Sequence, residues 1–118
     1  MTTRSPARIE FLTDILTTAA EGGINYWARL HQYRWDVPAE QRRIVLSERE
    51  EPEPVKLTVT LDTIAKGLGL VKRLPADQRK RYAQLLLADR TNGVDGDYDA
   101  DDANVVVQLA LLDDVVYG

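Results

Sequence analysis

His31 is the only histidine of the 118-residue sequence, so any histidine-based catalysis depends on this one side chain. A catalytic dyad needs the imidazole beside a hydroxyl or carboxyl group that it can activate or be oriented by. Nothing in the sequence pairs His31 with such a group, and a single histidine on an aromatic strand is more often a structural hydrogen-bonding residue. The sequence also lacks a Gly-rich phosphate loop and a nucleophile elbow. We therefore expect no enzymatic activity.

The aspartates of residues 95–101 stand at every second position, as at the start of a calcium-binding loop. That loop requires glycine at its sixth position and a bidentate glutamate at its twelfth, where this chain has Ala100 and Val106. With one histidine and no cysteine, the usual zinc ligands are also missing. We expect no metal site and no cofactor, and we interpret the aspartates as a solvated loop that caps the next helix. Divalent-ion binding by the carboxylates alone, or imitation of nucleic acid by residues 95–102, stays an open alternative.

Charge is unevenly distributed although the formal net charge is only -4. Residues 66–90 contain seven basic and two acidic side chains, whereas residues 91–118 contain seven aspartates and no lysine or arginine. Such an asymmetry indicates a basic surface that contacts either an acidic partner or the chain's own acidic end.

Residues 60–70 are similar to the first helix and turn of a helix-turn-helix, with Ala65 and Gly69 at the familiar four-residue spacing. Pro75 would interrupt a DNA-reading helix unless that helix begins at the proline itself. The candidate nucleic-acid-binding residues are Lys72, Arg73, Arg79, Lys80 and Arg81. The alternative is a solvated basic face on an ordinary helical hairpin, beside the acidic C-terminal loop.

Residues 22–35 concentrate both tryptophans and two of the five tyrosines. Strict strand alternation places Ile24, Ala28 and Leu30 with Tyr26 on one face, and the remaining rings on the other. Interface centres favour aromatic residues and arginine, so these rings are the candidate partner-binding surface. The four candidate residues are Tyr26, Trp27, Tyr33 and Trp35. Packing in the core is the competing interpretation.

Hydrophobic spacing and turn residues predict an α+β fold with one domain spanning residues 1–118. An N-terminal helix at about residues 6–20 is followed by a three-stranded antiparallel meander with strands at 24–35, 42–50 and 55–59. About three helices then pack on the sheet, capped or opened by Thr60, Pro75 and Asp99. For residues 100–112 a helix is favoured, and the Val105–Val107 run leaves a strand as the alternative.

The absence of cysteine suits a reducing cytoplasm, and the N-terminus lacks the apolar segment of a signal peptide. The longest apolar runs are far shorter than the roughly 20 residues that cross a bilayer. We therefore expect a cytoplasmic protein without membrane contact.

Three segments resemble a family of small uncharacterised proteins of actinobacteria and their phages: Glu-Gly-Gly-Ile-Asn-Tyr-Trp-Ala at 21–28, the segment 97–108, and the ending Val-Val-Tyr-Gly. The resemblance implies a phage-type accessory protein that binds a host or phage protein, or itself. A nucleic-acid-associated regulator is the first alternative. The second is a binder of a small, nucleotide-like ligand, or a minor enzyme, using His31 and nearby carboxylates.

Overall fold

The computed structural model describes residues 3–118 and has the predicted α+β order of a helix, a three-stranded sheet and further helices. Helices and strands have the following bounds: α1 Pro6–Thr18, β1 Ala28–Arg34, β2 Arg43–Glu48, β3 Leu57–Thr60, α2 Leu61–Lys72, α3 Ala76–Arg79, α4 Ala83–Thr91 and α5 Ala100–Leu112. Short 3-10 turns occupy Ala39–Gln41 and Lys80–Tyr82, and a π-helical turn occupies Ala19–Gly23.

Helix α1 begins as predicted, but the paired glycines do not stop it. The Ser5 side chain accepts a hydrogen bond from the Arg8 backbone N–H at 3.2 Å, and Pro6 occupies the first turn. The chain then winds into the π-helical turn, which carries the coiled backbone through Gly23. A Cβ atom on Gly23 would lie 2.6 Å from the Ala100 carbonyl oxygen, so glycine lets this turn touch the start of α5.

Strand β1 starts four residues later than predicted. Ile24 ends the π-helical turn, and its carbonyl accepts hydrogen bonds from the Trp27 and Ala28 N–H groups at 3.1 and 2.9 Å. Residues 24–27 therefore form a turn, and the extended prediction for them is wrong. A bulge at His31 also shifts the alternation, so Leu30 and Tyr33 both face the core side, opposite Leu46 and Ile44. The predicted division of faces is wrong for the same reason.

The sheet is the predicted antiparallel meander, in the order β1–β2–β3. Ile44, Leu46 and Val59 are buried on its core face, and alternation places Arg43, Val45 and Ser47 on the other face. Strands β2 and β3 are shorter than predicted; Val55 is exposed and precedes β3.

The helices after the sheet follow the local capping signals. Thr60 forms a capping box with Thr63, and Asp99 forms one with Asp102. Residues 100–112 are helical, so the alternative strand is wrong. Helix α5 is buried through most of its length, and it approaches α2 so closely that a Cβ on Gly67 would lie 2.2 Å from the Val106 carbonyl oxygen.

A buried carboxylate ties α1 to α4. The Arg8 Nη2 lies 2.6 Å from Asp89 Oδ1 and its Nη1 donates to the Asp89 carbonyl at 2.8 Å, while the Lys72 Nζ lies 3.6 Å from Asp89 Oδ2. The contact between Nη2 and Oδ1 is a close ion pair to a carboxylate that is itself buried. Between residues 3 and 118, no helix combines the length and apolar character needed to cross a membrane.

Candidate functional site: the aromatic pair and the basic groove

The four aromatic candidates do not form one surface, because Trp27 belongs to the core. Its ring is 1% exposed and stacks on Tyr117 with 5.1 Å between centroids. Its indole Nε1 donates to Asn104 Oδ1 at 2.7 Å. The core interpretation therefore holds for Trp27, and an exposed contact role does not.

Tyr26 keeps an exposed ring, but its hydroxyl is engaged in a polar cluster that holds the C-terminal segment. We call Tyr26, Asn104, Gln108 and Tyr117 the C-terminal cluster. The Tyr26 hydroxyl donates to the Tyr117 carbonyl at 3.0 Å and accepts from Asn104 Nδ2 at 3.1 Å. Gln108 pairs with both backbone groups of Tyr117, at 2.9 and 3.1 Å. These hydrogen bonds give Tyr26 a structural role. The residue nevertheless stays 53% exposed.

Tyr33 and Trp35 form a stacked pair at the end of β1. Their ring centroids are 3.9 Å apart and the planes differ by 10°. Tyr33 is 42% exposed, and Trp35 is half-buried against the core. The bulge at His31 creates this pair's position, because it turns Tyr33 towards the core side at the sheet margin.

The strand that carries this pair is an edge strand. Among the residues that the structure describes, β1 pairs with β2 only, so one side of its backbone meets no other strand. The strand contains Arg29 and Arg34 and no carboxylate, and Arg34 pairs with Asp36 just beyond its end at 3.1 Å. The edge thus offers backbone donors and acceptors beside two stacked rings, and the exposed Arg29 lies on the opposite face of the strand from Tyr33.

His31 has a hydroxyl partner that the sequence did not reveal. Its Nε2 lies 2.8 Å from Ser47 Oγ across the bulge. Ser47 is only 4% exposed, so a substrate carbonyl has no access to its oxygen. The geometry favours a hydrogen bond that fixes the bulge over a nucleophile and base.

The five basic candidates separate into different environments. Lys72 faces Asp89 as described above, and Arg73 is exposed at the end of α2. Helix α3 begins directly after Pro75, where the alternative places the start of a DNA-reading helix, and it passes after four residues into the 3-10 turn. Arg79 and Lys80 line a groove of about 360 Å³ with Arg90, whereas Arg81 does not line it.

Sequence reasoning missed Arg90, although a helical signal was present. Apart from the adjacent Arg79 and Lys80, successive groove residues are three or four positions apart: Ala76, Arg79, Lys80, Ala83, Leu86 and Arg90. This spacing is that of one face of a continuous helical stretch, and it would have united Arg90 with Arg79 and Lys80.

The acidic segment serves to cap and to pack. Asp99 and Asp102 exchange hydrogen bonds with each other's backbone N–H at 2.9 and 3.0 Å. Partial burial raises the pKa of Asp102, and the neighbouring aspartates add to this effect. In the part of the chain that the structure describes, no three His, Cys, Asp or Glu side chains lie together in a manner that could hold a metal ion.

A second hollow, of about 320 Å³, lies between α1 and the loop after α4. Glu10, Asp14, Phe11 and Tyr98 line it, and the Tyr98 hydroxyl donates to Asp14. Burial and this hydrogen bond raise the pKa of Tyr98 above its ordinary value. Phe11 and Tyr98 meet edge to face with 5.9 Å between their ring centroids, and both rings line the hollow.

No protein-family model, no curated protein and no solved structure matches the chain.

Proposed function

We propose that this protein is a non-catalytic binding protein of the phage accessory type, and that it binds an extended, acidic segment of a partner protein along the edge of β1. The observation that carries the proposal is the stacked Tyr33–Trp35 pair, which stands partly exposed beside an unpaired strand edge. Its phage setting rests on the sequence resemblance. A cytoplasmic setting is part of the proposal and is supported by the absence of cysteine.

Strand addition explains why these features occur together. A peptide that joins a free edge gains backbone hydrogen bonds, while pockets and anchors for alternate side chains supply specificity. Rigid aromatic rings suit the anchor role because they bury a large area and lose little conformational entropy on binding. The exposed Arg29 on the same strand favours a carboxylate-bearing segment, whereas Arg34 already pairs with Asp36.

The test is a selection of displayed random peptides on the wild-type protein, followed by affinity measurement with a double variant, Tyr33→Ala with Trp35→Ala. We expect the selection to yield acidic peptides that bind the wild type. Their affinity for the double variant should be about thirtyfold lower or more, because truncating an interface anchor costs roughly 2 kcal/mol or more. A Val94→Ala variant, which removes an exposed apolar side chain in the loop after α4, should bind like the wild type. Hydrogen exchange should show new protection along β1.

Three results would contradict the proposal. The first is a selection that yields no binder, and the second is a set of binders that the double variant holds as tightly as the wild type does. The third is concentration-dependent dimerisation through β1, seen in sedimentation and lost in the double variant, because the edge would then be occupied by a second copy of this chain.

A further inference from the structure

The groove formed by α3, the following 3-10 turn and α4 has three cationic side chains along its rim and an apolar floor. Arg79, Lys80 and Arg90 supply the cations, and the floor consists of Ala76, Ala83 and Leu86. Leu86 is buried, so the floor is continuous with the core beneath α4. The groove volume of about 360 Å³ falls in the range of small-ligand sites, roughly 300–1,000 Å³.

The three cations have no carboxylate to neutralise them. Within residues 3–118, none of them lies within 4 Å of an acidic group, and no acidic residue lines the groove. Asp89, which precedes Arg90, is already engaged by Arg8 and Lys72. Arg79 makes only a long hydrogen bond, 3.5 Å, to the Lys72 carbonyl. Three cations that line one groove without an acidic side chain among the lining residues create a positive potential that attracts an anion.

We propose that this groove binds the phosphate of a nucleotide, with the phosphate between Arg79, Lys80 and Arg90 and the sugar or base against Leu86. Guanidinium groups match phosphate through paired N–H donors, and an ammonium group adds a compact point charge. The apolar floor gives the uncharged part of a nucleotide a surface to cover. The nucleotide comes either free or as a unit of a nucleic-acid strand, and both sources present the same chemistry.

This proposal is independent of the peptide-binding edge, because none of the groove residues belongs to the sheet. The test titrates the full chain at low salt with four probes: ATP, inorganic phosphate, single-stranded DNA and duplex DNA. Binding is followed by calorimetry and by NMR shifts of the backbone amides of residues 76–90.

Two charge-matched triple variants separate the groove from general electrostatic attraction. The groove variant carries Arg79→Gln, Lys80→Gln and Arg90→Gln. The control variant carries Lys56→Gln, Arg73→Gln and Arg81→Gln, which are exposed positions outside the groove. Both variants lose the same charge, and thermal unfolding confirms that each is folded. Should either fail to fold, the single variant Lys80→Gln is compared with Arg81→Gln.

We expect ATP or single-stranded DNA to bind, and the groove variant to lose about tenfold or more while the control loses at most about twofold. The natural ligand is a free nucleotide if ATP displaces DNA and the affinity for ATP changes little with salt concentration. A strand is the source if affinity falls steeply with salt, because several phosphates then release counterions together. The proposal is overturned if no probe binds, if both triple variants weaken binding equally, or if inorganic phosphate binds as tightly as ATP.

Discussion

Two glycines of α2 provide a matched test of how closely α2 and α5 must approach. Gly67 faces α5: an added Cβ would lie 2.2 Å from the Val106 carbonyl oxygen and 2.7 Å from its Cγ1. Gly69 lies two residues later in the same helix, and a Cβ added there would have no other atom within 4 Å apart from the local helix backbone. The substitutions Gly67→Ala and Gly69→Ala therefore change the same helix by one methyl group in opposite environments.

The magnitudes follow from the contact distances and from helix propensity. Alanine exceeds glycine in an exposed helix interior by roughly 1 kcal/mol, so Gly69→Ala should raise the free energy of unfolding by up to that amount. A carbon–oxygen contact relaxes at about 3.3 Å, so Gly67→Ala must separate the helices by roughly 1 Å. Overpacking of this kind costs about 1–3 kcal/mol before the propensity gain is subtracted. Because the propensity gain is common to both variants, we expect the free energy of unfolding of Gly67→Ala to lie about 1–3 kcal/mol below that of Gly69→Ala.

The assay is urea unfolding, followed by the fluorescence of the buried Trp27, with Trp35→Phe as the common background. The midpoint should move down for Gly67→Ala and up for Gly69→Ala, with the slope unchanged if the unfolded surface is the same. If Gly67→Ala proved as stable as Gly69→Ala, the close contact between α2 and α5, and with it the buried position of α5, would be refuted.

Four further predictions concern the polar contacts and the rings. Arg8→Ala should lower the free energy of unfolding by roughly 3 kcal/mol, since Asp89 stays buried with less compensation; a loss no larger than that of Arg4→Ala, whose partner Asp62 is exposed, would contradict this. Asn104→Ala should cost about 1–3 kcal/mol in chemical unfolding, because the Trp27 indole loses its acceptor; an unchanged midpoint would count against the bond. The hydrogen bond to Glu48 raises the pKa of Tyr117 to about 12. The folded state then holds this proton more tightly than the unfolded chain does, so its contribution to stability is complete below about pH 10 and disappears as the pH rises through 12. Unfolding midpoints measured across that interval should fall less in Tyr117→Phe, and identical profiles would refute the assignment. Acrylamide should quench Trp35 in Trp27→Phe and spare Trp27 in Trp35→Phe, and equal quenching would contradict the burial difference.

The parts of the fold that were predictable are those decided within a few residues. Ser5, Thr60 and Asp99 accept backbone N–H groups three residues ahead, so their side-chain chemistry alone marks the helix starts. The meander followed from alternation in β2 and β3, where one face is apolar.

The parts that were not predictable depend on residues far away in the sequence. The π-helical turn runs through Gly23 because the backbone there contacts Ala100, and no signal near the glycines announces that contact. The bulge at His31 arises in the pairing with β2, so strict alternation along β1 misassigned Tyr33. Core packing of Trp27 could not be separated from a contact role in advance, because its partners, Asn104 and Tyr117, lie at the other end of the chain.

Residue type alone was enough to predict part of the candidate site. Tyr33, Trp35, Arg79 and Lys80 were selected by residue type, and all four have surface positions or line the groove. Arg90 lies outside the local cluster of Arg79, Lys80 and Arg81, and only the helical spacing across Ala83 and Leu86 relates it to them.

The long reach of the Trp27 contacts has a consequence for how the protein is made. A ribosome releases the indole early, but its hydrogen-bond acceptor follows 77 residues later and its stacking partner later still. Until then a large apolar ring and the faces around it lie open to chaperones and proteases. A chain that stops before Asn104 lacks both partners, so it leaves uncovered the tryptophan that the folded protein buries.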